Sequence, residues 1–322
     1  MRLAITLGDP AGIGPEIVAS LLASREVERA GVDVVVVGDR ATLAALPAPL
    51  PGASSVVASD VGPIELGRPS AASGAAAARA LFRAIELAMA GDVAGVVTAP
   101  TSKEAMHLAG HAYPGQTEIL IERSGTPRGV MLFVGGGIKV ALATRHVALR
   151  RVADALDADA IAADLGLLGT ALRREFGVAV PRIVVTGLNP HAGEHGLFGD
   201  EEARVIGPAV ERVRSAGVAV TGPLPADTAF VRLRKGEFDA AFAMYHDQGL
   251  IPVKLLAFGF GVNVTIGLPF VRTSPDHGTA YDIAGTNQAD DSSLIEAFRL
   301  AVDCAKSRGS PPEALRRGLL EP

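Results

Sequence analysis

The stretch LAITLGDPAGIGPE, residues 3–16, decides the fold class of this 322-residue chain. Its first five residues form a short apolar run typical of a buried strand, and a glycine-rich turn and the start of a helix follow. The same order recurs downstream, with strands predicted at 32–37 and 94–97 and an alanine-rich helix at 73–90. This alternation predicts an α/β fold with mainly parallel sheets flanked by helices.

The middle of the chain departs from this alternation. Two apolar runs flank the three glycines at 135–137, which predicts a local antiparallel hairpin. Residues 41–69 are rich in loop-forming residues and predict little. At about 150 residues per domain, the length indicates about two domains or one large α/β unit. The other predicted elements are a helix over 149–176, buried strands over 183–186 and 240–245, and a terminal helix over 292–306.

Composition excludes several classes of function. The chain has 30 basic and 35 acidic residues, a net charge of -5, so it lacks the basic excess expected for nucleic-acid binding. The single cysteine, Cys304, excludes an intrachain disulfide and any cysteine-based zinc module. No apolar run approaches the roughly 20 residues that span a bilayer, so no membrane partner is expected. With no visible targeting segment, the expected location is cytoplasmic.

Three histidines follow predicted strands. His146 comes after an apolar run, His191 after the strand at 183–186, and His246 after the strand at 240–245. Ligands bind beyond the carboxyl ends of strands in open α/β sheets, so these ends are expected to converge. Three imidazoles with an open position are a workable site for a divalent metal that binds substrate. The alternative is three unrelated polar residues in loops.

Two other motifs are weaker. His107 and His111 lie four residues apart but lack the glutamate of a zincin motif. His191 and His195 have the same spacing but lie in a glycine-containing loop. Neither pair is therefore expected to form a helical face with two histidines. The turn at 8–14 lacks the third glycine of a dinucleotide fingerprint and is expected to be a tight structural turn.

The region from 245 to 290 is the densest in reactive side chains. Lys254 and Asn263 interrupt apolar runs, and Arg272 follows another. A cation within apolar surroundings is costly unless it meets an anion, so Lys254 and Arg272 are candidates for binding phosphate or carboxylate. The alternative is that both extend along the surface with their charged ends in water.

Five segments together resemble the 4-hydroxythreonine-4-phosphate dehydrogenase family of pyridoxal phosphate biosynthesis. They occur in the family's order, span nearly the whole chain and are specific as a set. The matching segments are GDPAGIGPE (8–16), NPHAGE (189–194), GPLPADT (222–228), YHDQG (245–249) and RTSPDHGTA (272–280).

The resemblance implies a two-domain fold similar to isocitrate and isopropylmalate dehydrogenases. It implies a discontinuous cofactor-side domain of residues 1–126 plus 272–322, and a central metal and dimerisation domain of residues 127–271. It also implies a homodimer with each active site at the subunit interface, using NAD or NADP and a divalent metal such as Zn, Mg or Co.

The resemblance also assigns roles to individual residues. The implied metal ligands are His146, His191 and His246, and Asp227 is an acidic residue near the metal. The implied substrate-binding residues are Gln116, Thr117, Lys254, Asn263 and Arg272, and the candidate base is Asp227 or Asp247. The implied cofactor-binding residues are His277, Gly278, Thr279 and Asn287.

The implied reaction is oxidation of the C3 hydroxyl of a small 4-phosphorylated hydroxy acid, followed by decarboxylation. For 4-phosphohydroxy-L-threonine the product is 3-amino-2-oxopropyl phosphate. One departure bears on the substrate: Gln116 stands where the family usually has histidine, and unlike histidine it cannot become cationic or shuttle a proton. Residues 107–115 and 251–256 resemble a sister branch that oxidises 4-phospho-D-threonate or 4-phospho-D-erythronate. A phosphate-handling transferase and a non-catalytic small-molecule binder are the rival classes.

Overall fold

The structure is a computed structural model that describes residues 1–47 and 52–309. The chain divides into two compact units. The first comprises Met1–Arg128 and Val262–Ala305, and the second comprises Gly129–Gly261 with the described residues after Ala305. The expected cofactor-side domain extended to residue 322, and its last thirteen positions, 310–322, lie outside the described residues.

Strands and helices alternate through most of the chain, as the sequence predicts. The strands are β1 (Arg2–Thr6), β2 (Asp33–Asp39), β3 (Ala53–Ser59), β4 (Gly95–Thr98), β5 (Val130–Gly135), β6 (Ile138–Leu142), β7 (Arg182–Thr186), β8 (Ala219–Leu224), β9 (Ala240–Ala243), β10 (Val262–Ile266) and β11 (Val271–Pro275). The α-helices are α1 (Gly14–Ala23), α2 (Glu26–Ala30), α3 (Arg40–Ala45), α4 (Ala71–Met89), α5 (Lys103–Leu108), α6 (Gln116–Ser124), α7 (Val152–Ala155), α8 (Ala158–Arg174), α9 (Gly207–Ser215), α10 (Ala226–Arg234), α11 (His246–Ala257) and α12 (Ser292–Arg308).

The strands of the first unit follow the order β3-β2-β1-β4-β11-β10. All neighbours in this set are parallel except β10 and β11, which pair antiparallel. This pairing groups residues 262–271 with the first unit, whereas the sequence expectation assigned them to the central domain. The physical reason is the antiparallel ladder in which Val262, Asn263 and Val264 pair with Pro275, Ser274 and Thr273.

The strands of the second unit follow the order β5-β6-β9-β7-β8. The hairpin of β5 and β6 turns at Gly136 and Gly137, whose φ angles of 59° and 80° match the left-handed turn that glycine favours. The strands β6, β9 and β7 are parallel neighbours. Their carboxyl ends therefore lie along one edge of the sheet.

Each unit has an apolar core between its sheet and its helices. In the first unit, Leu81 and Ile85 of α4 pack with Val35 and Val96 of the sheet. In the second unit, α11 packs its buried residues on β6 and β9. No helix within residues 1–47 and 52–309 is long and apolar enough to cross a membrane.

One local prediction is wrong, and one stretch that predicted little contains a strand. The single helix expected over 149–176 is broken into a 3-10 turn, α7 and α8, because the Asp157 side chain caps a new helix by accepting from the Ala160 amide at 2.8 Å. The loop-rich stretch 41–69 contains β3, a largely exposed edge strand whose residues lack a continuous apolar run.

Candidate active site

His146 and His246 are brought together in the second unit. His146 follows β6, and His246 begins α11 directly beyond β9. Their rings lie 6.0 Å apart between centroids, and both line a pocket of about 290 Å³. His246 Nδ1 and Asp247 Oδ1 are 2.7 Å apart, and in the tautomer with a proton on Nδ1 the carboxylate accepts that proton's hydrogen bond and Nε2 is the ring nitrogen with a lone pair.

His191 lies at the same edge of the sheet, in the loop beyond β7. Its φ is 54°, and Ala192, Glu194 and His195 are also left-handed, so this loop has an unusual backbone. The His191 ring is exposed and lies 6.2 Å from the ring of Phe198. Within the described residues of the single chain, no group of three His, Cys, Asp or Glu side chains is close enough to hold a metal.

A buried carboxylate that sequence reasoning missed, Glu202, accepts hydrogen bonds from the start of the loop that contains His191. Glu202 Oε1 accepts from the amides of Leu188 and Asn189 at 2.8 and 2.7 Å, and Glu202 Oε2 accepts from the Asn189 side chain at 3.0 Å. Glu202 begins a π-helical segment, Glu202–Ile206, a feature common near functional sites.

The rival histidine pairs do not form helical faces, as the sequence predicts. Helix α5 ends at Leu108, which leaves His111 beyond it with its ring edge against Phe82 at 5.4 Å. His195 lies in the irregular loop of His191.

The remaining candidates of the second unit lie on two helices. Asp227 is exposed in the first turn of α10, just after β8. Asp247 is 73% exposed beside His246, and Lys254 is half-buried in the last turn of α11.

Arg272 is the centre of the candidate site in the first unit. It is 3% exposed in β11, and its guanidinium donates to Thr98 Oγ1 at 2.8 Å, Gln116 Oε1 at 2.9 Å and Thr265 Oγ1 at 3.0 Å. All three acceptors are neutral, and burial lowers the pKa of Arg272 to about 10. The buried Arg272 Nε lacks a partner among the described residues. The buried guanidinium therefore has neutral hydrogen-bond partners, and the charge of Glu118 acts on it electrostatically.

Gln116 orients this cation. It begins α6, and its Nε2 donates to the Ala99 carbonyl at 3.2 Å and to Thr101 Oγ1 at 3.0 Å while its Oε1 accepts from Arg272. Thr117 beside it is buried, and Asn263 in β10 has a buried Oδ1 with no partner among the described residues. The structure thus joins Gln116 and Arg272, which are 156 residues apart in sequence.

The predicted cofactor loop is joined to the glycine-rich turn at 8–14. The Ile13 amide donates to the Thr279 carbonyl at 2.9 Å, and a Cβ at position 12 would lie 2.6 Å from that oxygen, so Gly12 permits this close approach. Tyr281, which sequence reasoning missed, donates its hydroxyl to Asp9 Oδ2 at 2.6 Å. Burial raises the pKa of both Asp9 and Tyr281. These bonds hold the turn against the loop at 277–287.

A pocket of about 600 Å³ lies beside this loop. Its lining is mainly apolar and includes Pro15, Ala19, Ile64 and Leu66, and Asn287 also contributes to it. His277, by contrast, is exposed and its Nδ1 lies 3.1 Å from the Gly278 carbonyl.

Comparison with known proteins gives consistent matches across the chain. The family described as Pyridoxal phosphate biosynthetic protein PdxA matches residues 19–301. The 4-hydroxythreonine-4-phosphate dehydrogenase of Desulfosudis oleivorans is 46% identical over 97% of this chain and 98% of its own length. The D-threonate 4-phosphate dehydrogenase of Salmonella typhimurium is 43% identical over 94% of this chain and 98% of its own length.

Solved structures agree with these sequence matches. The crystal structure of 4-hydroxythreonine-4-phosphate dehydrogenase from Klebsiella pneumoniae has a TM-score of 0.85 at 44% identity, covering 94% of this chain and 99% of that one. Isocitrate dehydrogenase from Methylococcus capsulatus, at 14% identity and a TM-score of 0.51 over 98% of this chain and 88% of that one, shares the fold. The sequence expectation of an α/β fold of this type is therefore confirmed, and the chain belongs to the PdxA family of pyridoxal phosphate biosynthetic proteins.

Proposed function

We propose that this chain is an NAD-dependent, divalent-metal-dependent dehydrogenase that oxidises and decarboxylates 4-phosphohydroxy-L-threonine. The product would be 3-amino-2-oxopropyl phosphate. The observation that carries the proposal is Arg272, a buried cation whose partners are the neutral Thr98, Gln116 and Thr265. Such a cation is suited to bind an anionic end of the substrate, because charge-assisted bonds to a guanidinium are strong and directional. The relatives of this chain named above are dehydrogenases, which supports the redox chemistry.

The substrate-binding set extends beyond Arg272. Gln116, Thr117 and Asn263 would supply neutral hydrogen bonds to the same substrate, and the buried Asn263 Oδ1 is available for one. Lys254 would bind the other anionic end as a flexible point charge.

The three histidines of the second unit are the donors that we propose for a divalent cation. His146, His191 and His246 all lie at the edge where β6, β7 and β9 end, and imidazole nitrogens suit zinc or cobalt better than the hard cation magnesium. When bound, the cation would supply Lewis acidity to the substrate hydroxyl and to the carbonyl formed from it. Asp247 would orient His246 through their hydrogen bond. Asp247 or Asp227 would take the proton of the C3 hydroxyl while hydride passes to the nicotinamide.

The cofactor would lie in the pocket of about 600 Å³ beside the loop at 277–287. Thr279 and Asn287 would shape this site, with His277 and Gly278 at the start of the loop. Within the described residues the lining contains no Lys or Arg, and its charged member is Glu16. The 2′-phosphate of NADP would find no cation in this lining and would be repelled by the Glu16 carboxylate, so NAD is favoured over NADP.

A second copy of the chain would complete the enzyme. Helix α11, which begins at His246, exposes Ile251 and Leu255 by 58% and 81%, and Phe258 directly after it by 80%. Large apolar side chains at such exposure mark an association surface. A homodimer formed on this surface would bring the partner subunit next to the histidine pocket.

A second candidate substrate is 4-phospho-D-threonate or 4-phospho-D-erythronate. The observation that favours it is Gln116, a neutral side chain fully engaged with Ala99, Thr101 and Arg272 at a position where the family usually has histidine. A relative 43% identical is named D-threonate 4-phosphate dehydrogenase.

The test is an assay of NADH formation with each of the three phosphorylated acids, with zinc, cobalt or magnesium added. We expect the highest kcat/KM with 4-phosphohydroxy-L-threonine. A higher value with either phospho-sugar acid would favour the second candidate. Absence of NADH with all three would contradict the dehydrogenase assignment and favour a transferase without redox chemistry.

A further inference from the structure

Gln248 joins two strand ends of the second unit through its side-chain amide. Its Oε1 accepts from Thr186 Oγ1 at 2.8 Å and from the Met244 amide at 2.7 Å, and its Nε2 donates to the Gly187 carbonyl at 2.8 Å. Thr186 is the last residue of β7, and Met244 is the first residue after β9. The amide therefore uses three of its four hydrogen-bonding positions on these two strand ends.

These bonds begin where the backbone ladder stops. The paired residues of β7 and β9 end at Val185 and Phe242. Beyond that point the two segments separate toward different loops, and Gln248 bridges them in place of backbone pairing. One segment continues to His191 and the other to His246.

The third strand end is tied to the same peptide group. Thr144 donates to the Met244 carbonyl from its hydroxyl at 2.8 Å and from its amide at 3.1 Å. The Met244 carbonyl thus accepts hydrogen bonds from Thr144, and the Met244 amide donates one to Gln248. The result is a continuous hydrogen-bonded chain beneath the segments that carry His146, His246 and His191.

We propose that Gln248 is a positioning residue that sets the spacing of the His191 and His246 segments for a divalent cation. The inference rests on the metal site of the proposed function. Residues that orient metal ligands without touching the metal commonly affect metal affinity by 10–100-fold. Gln248 would act in this way through the backbone, by fixing the points from which the two loops leave the sheet.

The experiment measures cobalt(II) binding to the full-length, metal-stripped protein. Cobalt(II) chloride is titrated while the visible absorption of the bound ion is recorded, for wild type and for Gln248→Met, which keeps the length of the side chain but removes its polar groups. We expect Gln248→Met to bind cobalt(II) roughly tenfold or more weakly, with a changed absorption spectrum.

A matched pair at Thr186 isolates one bond of the bridge. Thr186→Val removes the hydroxyl that Gln248 accepts, whereas Thr186→Ser keeps it. We expect weaker cobalt binding for Thr186→Val and near-normal binding for Thr186→Ser. Thr170→Val, on the exposed face of α8, serves as a control with no expected change.

The outcomes separate the inference from the proposed function. Cobalt affinity and spectrum within twofold of wild type in folded Gln248→Met, or in Thr186→Val if Gln248→Met does not fold, would overturn the positioning role while leaving the metal site intact. Failure of the wild type itself to bind cobalt(II) would overturn both. A lower melting temperature of Gln248→Met with unchanged cobalt affinity would also overturn the positioning role, because Gln248 would then stabilise the fold without affecting the metal.

Discussion

Arg272 is a buried cation whose desolvation costs stability and whose proposed role is to bind substrate. Its guanidinium is buried among neutral hydrogen-bond acceptors, and its desolvation opposes folding although the charge of Glu118 offsets part of that cost. The lowered pKa of about 10 still leaves it protonated at neutral pH. Arg299 is the contrasting case, because it pairs with the buried carboxylate of Glu26 at 2.8 Å.

Replacing Arg272 by Met should separate stability from activity. We expect kcat/KM for the phosphorylated substrate to fall at least 10–100-fold, the effect of one or two lost charge-assisted bonds of about 1.5–3 kcal/mol each. The melting temperature should stay level or rise, because a buried charge is removed. Thermal unfolding and steady-state kinetics provide the two measurements.

Arg299→Met is the matched control for that prediction. It should lower the free energy of unfolding by about 1 kcal/mol or less, because Arg299 is half-exposed and Glu26 keeps its second partner, Arg29, at 2.8 Å, and it should leave kcat/KM unchanged. A clear loss of stability in Arg272→Met would contradict the view that Arg272 is retained for binding.

Tyr281→Phe tests the bond between the proposed cofactor loop and the glycine-rich turn. Removing the hydroxyl takes the donor from Asp9 Oδ2, whereas Asp9 Oδ1 keeps the Ala11 amide at 2.9 Å, so we expect KM for NAD to rise about tenfold with little change in kcat. Tyr113→Phe is the control, because Tyr113 makes a similar 2.7 Å bond to Glu122 on the exposed surface. Equal NAD affinities in wild type and Tyr281→Phe would refute a role of this bond in shaping the pocket.

At the scale of elements, capping decided where one predicted helix divides. The apolar spacing over 149–176 is consistent with a continuous helix, but Asp157 has an extended backbone and starts α8 as its N-cap. A short polar side chain that satisfies free helix amides competes with continuing the preceding helix. The periodic pattern does not contain this information, because it records which faces are apolar and not where the backbone turns.

Asp157→Ala should lower the free energy of unfolding by about 1 kcal/mol, because the Ala160 amide loses its acceptor. Denaturant unfolding gives the value. Asp154→Ala, an exposed substitution of the same type within α7, should change stability by much less. Equal effects of the two substitutions would show that the cap contributes nothing beyond the lost charge.

At the scale of the whole molecule, the exposed apolar face of α11 predicts the oligomeric state. We expect the wild type to sediment at twice its 33.0 kDa chain mass, and Leu255→Asp to sediment as a monomer with strongly reduced turnover. Val180→Asp, at a 72% exposed residue ahead of β7, should remain dimeric. A dimeric, fully active Leu255→Asp would exclude this face as the interface.

The sequence by itself determined the α/β alternation, the hairpin at the triple glycine and the arrival of three histidines at strand ends, because each is encoded by local periodicity and turn chemistry. Tertiary structure alone decided which partners those residues meet. Gln248 meets Thr186 across 62 positions, Gln116 meets Arg272 across 156, and Asp9 meets Tyr281 across 272. Such bonds depend on the order in which strands are placed in a sheet, and a linear pattern of apolar and polar residues does not specify that order.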